Sequence, residues 1–149
     1  NPEIREVTCP FTGQTLTAVP AINPDVTFIH ALKADRKGNV RIEGILGVQK
    51  GAVLAAKAAV VTVEDVVDSF ESHPNALVLP HWTIDAVAHV PGGAHPSYAQ
   101  GYYARDNAAY IAWDKIAADR DSFLGWMTQN VLQVDETAFA SRVTWSDGR

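Results

Sequence analysis

Val26–Thr27–Phe28–Ile29–His30–Ala31–Leu32–Lys33 is the stretch whose reading decides the fold, taken with the two apolar runs that follow it, Val40–Ile45 and Ala58–Val63. The first run is β-branched and apolar enough for a buried strand. Val40–Ile45 gives a second strand, and Asp35–Arg36–Lys37–Gly38–Asn39 between them has the chemistry of a tight turn. From Gly47 to Lys57, Val48, Val53, Leu54 and Ala56 with small residues between them predict a short helix, after which Ala58–Val63 returns to a buried strand. Strand, helix and strand in that order predict an α/β fold with an open, mostly parallel sheet flanked by helices.

Working outward, Asn1 to about Pro24 mixes proline, threonine and glycine with little period. It reads as an extended arm over residues 1–24 with a short strand near Leu16–Val19. Glu64 and Asp65 follow the Val60–Val63 run. They stand either at the carboxyl edge of the sheet, where ligands gather, or in the first turn of a helix through Val66, Val67 and Phe70, and the helix is the preferred reading. Ala76–Leu79 and Ile84–Val90 read as further strands around Pro80–His81–Trp82. Residues 106–149 read as a helical tail: Asp106 is an N-cap for a helix through Tyr110, Ile111, Trp113 and Ile116. Asp119 or Asp121 caps a second helix through Phe123, Leu124, Trp126 and Met127, whose aromatic spacing suits a packed core face. One more short helix is expected around Glu136–Ser141.

At 149 residues the chain is expected to form a single domain, and a chain of this size buries about 68–70% of its unfolded surface. A formal charge of −5 with no concentrated basic face argues against nucleic acid, and no apolar run is long enough to span a membrane. The single cysteine, Cys9, cannot make an internal disulfide, so nothing implies an oxidising compartment and the cytoplasm is expected.

The densest chemistry lies in His89–Asp106. Pro91 and Pro96 stiffen a turn around Gly92 and Gly93, whose missing side chains let a ligand approach. Beyond it His95, Ser97, Tyr98, Gln100, Tyr102, Tyr103 and Arg105 are all able to hold a polar or anionic ligand. Arg105 can pair bidentately with a substrate carboxylate, although an ion pair with Asp106 or Asp114 is the preferred reading. The same segment equally suits a rigid connection packed on a neighbouring subunit, with the tyrosines as amphipathic filler. Asp35 and Asn39 are expected to build their turn rather than touch substrate. His30, His73, His81, His89 and His95 show no metal-ligand spacing, Ser97 and Cys9 lie in no nucleophile motif, and Gly44, Gly47 and Gly51 spell no phosphate loop.

The order of motifs carries the reading further. Phe28–Asn39, Leu46–Gly47 with Lys50, Val61–Val67, Pro91–Ser97 and Gln100–Tyr103 together resemble the α (A) subunit of class I coenzyme A transferases, most of all the glutaconate type. Lys33, Ala34, Asp35, Gly38 and Asn39 hold the motif shared by the wider family. The resemblance implies a hetero-oligomeric transferase of acyl-CoA metabolism, with coenzyme A as a substrate and no permanently bound cofactor. It implies a β subunit carrying a nucleophilic glutamate, which passes through an acyl-glutamyl anhydride to a glutamyl-CoA thioester. The expectation is that this chain corresponds to the carboxy-terminal part of the α subunit, needing an amino-terminal half and the β partner. Glu43–Gly44 lacks the serine and asparagine of the nucleophile motif, so Glu43 is expected to be a strand residue facing solvent or an interface, and no residue here is expected to act as nucleophile. Two other outcomes fit the resemblance: a hydrolase acting on a CoA-linked ring-cleavage intermediate, and a non-catalytic assembly domain.

Overall fold

The computed structural model describes residues 3–71 and 73–145. Its centre is the predicted strand pair, β3 (Val26–Asp35) and β5 (Ala58–Val67), which run parallel in continuous register from Val26↔Ala58 to Asp35↔Val67. On one face of β5, Ala59, Val61 and Val63 are 0–1% exposed; they meet Ala31 and Ala34 of β3, Val40 and Ile42 of β4 (Val40–Ile42), Leu79 of β6 (Leu77–Leu79) and Val53 of α1 (Gln49–Ala55). Strand periodicity puts Thr62 and Glu64 on the opposite face, beside His30 and Leu32.

The five-stranded sheet has the order β6-β4-β3-β5-β7, with β7 covering Ala86–His89. β5 is parallel to β3 and to β7, while β4 is antiparallel to β3 and β6 is antiparallel to β4. Two reversals cancel, so β6 points the same way as β3 and β4 alone runs against the rest. The sheet is thus the α/β arrangement expected, with the β3–β4 hairpin inserted into it.

The hairpin turn is built by its own side chains. One carboxylate oxygen of Asp35 accepts from the backbone N–H groups of Lys37 and Asn39, both at 2.9 Å, and the other accepts from the Asn39 amide at 2.7 Å. Asn39 Oδ1 in turn accepts from His81 N at 2.9 Å, tying the turn to the loop after β6.

Three readings are corrected. Glu64 and Asp65 open no helix: β5 continues through both, because pairing with β3 extends to Lys33↔Asp65 and Asp35↔Val67. β4 ends at Ile42 rather than Ile45, since Gly44 sits at φ +87°, where a strand cannot continue. Trp113, Phe123 and Trp126 do meet edge to face, with ring centroids 5.1–6.2 Å apart, but they form a half-buried cluster and not a core; Trp113 is 40% exposed. The helices that carry them, α2 (Asn107–Ala117) and α3 (Arg120–Met127), contain no fully buried residue. Their caps are as expected: Asp106 accepts from Ala109 N at 2.9 Å and Asp119 from Ser122 N at 2.8 Å. A π-helical turn at Thr128–Leu132 leads to α4 (Glu136–Ala140). In the arm, the strand near Leu16 is β2 (Thr15–Ala18), and it pairs with an unanticipated β1 (Arg5–Thr8) as a two-stranded hairpin.

Candidate functional site

The polar face of the sheet carries the site. His30 and Thr62 are directly paired across β3 and β5, and His30 Nδ1 lies 2.8 Å from Thr62 Oγ1. His30 Nε2 donates to Glu64 Oε1 at 2.7 Å. Glu64 is 1% exposed, and two further donors reach it from the chain after β7: the backbone N–H of Gly92 at 2.7 Å, and the hydroxyl of Tyr103. Burial alone would raise the Glu64 carboxyl, but the hydrogen bonds from His30, Tyr103 and Gly92 outweigh it and hold the group below the usual glutamate value. Burial and the neighbouring Glu64 carboxylate push the Tyr103 hydroxyl far up, so it stays protonated and donates.

The two glycines of the turn therefore serve the chain itself. Gly92 adopts φ +81°, and a Cβ on it would stand 2.9 Å from Val143 Cγ2. A Cβ on Gly93 would meet His30 Cε1, His30 Nδ1 and Val90 O, each at 2.9 Å. The group that comes close to the turn is thus the His30 ring.

Between the turn and the β3–β4 edge lies a cleft of about 400 Å³, lined by His30, Glu43, Gln49, Ser97, Tyr98 and Gln100 among others. Glu43 is the one carboxylate among its lining residues. That side chain is only 14% exposed and is ion-paired with Arg41, so it is not the solvent-facing half of the expectation, and it lies just past the end of β4 rather than in the strand. Arg41 also donates to Glu71 O at 3.2 Å, so its guanidinium is held on two sides.

The seven sequence candidates divide into three groups. Ser97, Tyr98 and Gln100 line this cleft. His95 and Arg105 line a different one with Asp106, Asn107 and Arg142, on the side of α2. Tyr102 and Tyr103, 6% and 3% exposed, pack with Leu32, Ala99 and Val143 and present no surface to a ligand, a correction caused by the turn folding back onto the sheet. Arg105 pairs with neither Asp106 nor Asp114: its Nε donates to Asn107 Oδ1 at 2.8 Å and its guanidinium lies 5.1 Å from the Tyr110 ring centroid. Asp106 is instead met by His95 Nε2, at 3.4 Å.

The sequence reading left His30 out of the site and preferred a helix turn for Glu64 over the ligand-gathering edge of the sheet. The signal open to it was a carboxylate in phase with Val60 and Thr62 along an apolar strand, where an inward acid requires partners. Among the described residues no three His, Cys, Asp or Glu side chains gather closely enough to share a metal ion. No helix there is long and apolar enough to cross a membrane.

The coenzyme A transferase family model fits residues 4–89, which carry the sheet, and the chain belongs to that family. The A-type subunit of the 3-oxoadipate CoA-transferase of Pseudomonas knackmussii is 60% identical over 131 residues, which is 88% of this chain and 46% of that protein. Glutaconate CoA-transferase of Acidaminococcus fermentans is similar in sequence and in structure. Its A-type subunit is 35% identical over 113 residues, 74% of this chain and 35% of that one. One chain of its crystal structure superposes with a TM-score of 0.83 at 30% identity, covering 94% of this chain and 45% of that chain. A cholesterol ring-cleaving hydrolase subunit of Mycobacterium tuberculosis is 33% identical over 134 residues, 83% of this chain and 45% of the relative. The chain thus spans about half, or less, of the length of the relatives it matches.

Proposed function

We propose that this chain is part of the α subunit of a CoA-transferase, which moves coenzyme A between an acyl-CoA and a carboxylic acid. The observation that carries this reading is the state of two carboxylates, Glu43 in the cleft lining and Glu64 behind it. Glu64 is buried and accepts three hydrogen bonds, and Glu43 is paired with Arg41, so neither is free to attack a thioester. The chain supplies a wall, and the nucleophilic glutamate comes from a β partner, where covalent catalysis divides one acyl transfer into easier steps. Ser97, Tyr98, Gln100 and Gln49 give that wall hydroxyl and amide groups and no unpaired cation, a lining suited to the amides of a pantetheine arm more than to a carboxylate. Coenzyme A enters as substrate and not as a resident cofactor, and the cytoplasm is the proposed compartment, a reading that the single cysteine supports.

Relatives named as CoA-transferase subunits match at up to 60% identity, against 33% for the hydrolase subunit, which favours transfer over hydrolysis. The test is CoA release by the assembled protein with an acyl-CoA, in the presence and absence of a carboxylic acid acceptor. Release that requires the acid and yields its CoA ester supports transfer. Release without the acid supports hydrolysis, and none from an intact assembly supports a structural role.

A further inference from the structure

We propose that Glu64 is a positioning residue of the cleft: its carboxylate ties the glycine-rich turn to the sheet and so fixes the wall that Ser97, Tyr98 and Gln100 present. This rests on reading the cleft as the site of the CoA ester.

Glu64 does not line the cleft itself, so any effect on a ligand passes through its partners. Those partners come from three separate places: His30 on β3, Gly92 in the turn and Tyr103 beyond the wall. The Tyr103 hydroxyl also accepts from Ala94 N at 2.9 Å, so the segment is held at Gly92, at Ala94 and at Tyr103 through a single carboxylate. The wall lies between these anchors and is bonded to them, Ser97 N to Ala94 O at 2.7 Å and Ala99 N to Tyr103 O at 3.2 Å. His30, on the strand side of the cleft, has both ring nitrogens engaged, by Thr62 and by Glu64. Gly93 rests against that ring. The width of the cleft is therefore set where one carboxylate meets both of its sides. A leucine here would fill the space yet orient nothing, whereas a carboxylate accepting three directed bonds admits one arrangement of the turn.

The test uses the assembled enzyme with Glu64→Gln and Tyr103→Phe, reading KM for the acyl-CoA and kcat per folded protein. The amide of Glu64→Gln turns a donor toward groups that are themselves donors. Tyr103→Phe leaves the bonds from His30 and Gly92 in place and severs the link to Ala94. The expected result is KM raised about tenfold by Glu64→Gln and about threefold by Tyr103→Phe, with kcat within about twofold, because the wall binds and does not react. Unchanged KM in both variants, with only the yield of folded protein reduced, would overturn the proposal. If Glu64→Gln does not fold, Tyr103→Phe decides alone.

Hydrogen exchange separates this proposal from the reading it rests on. The Ser97 and Ala99 amides are expected to exchange faster in Tyr103→Phe, by about tenfold, while the Ala31 amide in β3 is unchanged. Unchanged exchange at Ser97 and Ala99 overturns the positioning role. A loosened wall in a protein whose wild type never turns over acyl-CoA overturns the transferase reading and leaves the tether standing.

Discussion

Gly93→Ala is the sharpest perturbation the structure offers, because its consequence is fixed by distances. The added methyl carbon would stand 2.9 Å from two atoms of the His30 ring and from the Val90 carbonyl oxygen. Ordinary carbon contacts lie near about 3.5–4.0 Å, so ring and turn must separate by more than about half an ångström. The carbonyl is backbone, and the ring is held by bonds of 2.8 and 2.7 Å to Thr62 and Glu64, so neither gives way freely. Overpacking of this kind costs about 1–3 kcal/mol, and weakening a hydrogen bond to a buried carboxylate adds about 1–2 kcal/mol, for a total of about 2–5 kcal/mol. Two other glycines are controls. Gly101 has φ +83° with nothing within 4 Å of a Cβ, so alanine there carries backbone strain alone, about 1–2 kcal/mol. Gly51 lies in α1 with open space around it, and alanine should stabilise by about 0.5–1 kcal/mol. Urea unfolding of the three variants should rank Gly93→Ala as most destabilised, then Gly101→Ala, with Gly51→Ala above wild type. A Gly93→Ala protein no less stable than Gly101→Ala would refute the close approach of the turn to His30, and with it the account of the cleft.

Asp35→Ala removes the acceptor for Lys37 N, Asn39 N and the Asn39 amide, and should cost about 1–2 kcal/mol in urea unfolding; a change below a few tenths would show that the turn holds itself. Glu64 is held below the ordinary glutamate value near about 4.3, so its carboxylate contributes stability that is complete above that value and lost as pH falls through the lower folded value. The stability gap between wild type and Glu64→Gln should accordingly narrow below about pH 4, and a gap that widens on acidification contradicts the assignment. In the assembled enzyme, Ser97→Ala and Gln100→Ala should each raise KM for acyl-CoA by about threefold to tenfold, the worth of a neutral hydrogen bond. Arg105→Ala should leave KM within about twofold, since its guanidinium is held by Asn107 and Tyr110 beside a different cleft, and a larger rise would return Arg105 to the site.

Local chemistry made much of the fold legible. Val26–Lys33 and Ala58–Val63 announce the paired strands, the Asp35–Asn39 turn is written in side chains that bond their own backbone, and Asp106 and Asp119 cap helices as such residues do. The failures have a common cause in tertiary contact. Glu64 and Asp65 have the look of a helix's first turn, and only pairing with β3 keeps them extended. The partners of Glu64 lie 28 to 39 residues away in the chain, a distance over which no local pattern speaks. The glycine-rich segment was legible as a place where something approaches closely. That the close group is His30, that Tyr102 and Tyr103 turn inward, and that His95 and Arg105 face another side all depend on how the turn folds back over the sheet.

The central claim is that this chain builds one wall of the site while the covalent chemistry belongs to its partner. The measurement that tests it most directly is peptide mass spectrometry on the assembled protein after brief incubation with an acyl-CoA and no acceptor acid. A CoA thioester on a glutamate of the β partner, with every peptide of this chain unmodified, is the result the account predicts. A CoA adduct on Glu43 or Glu64 would contradict it.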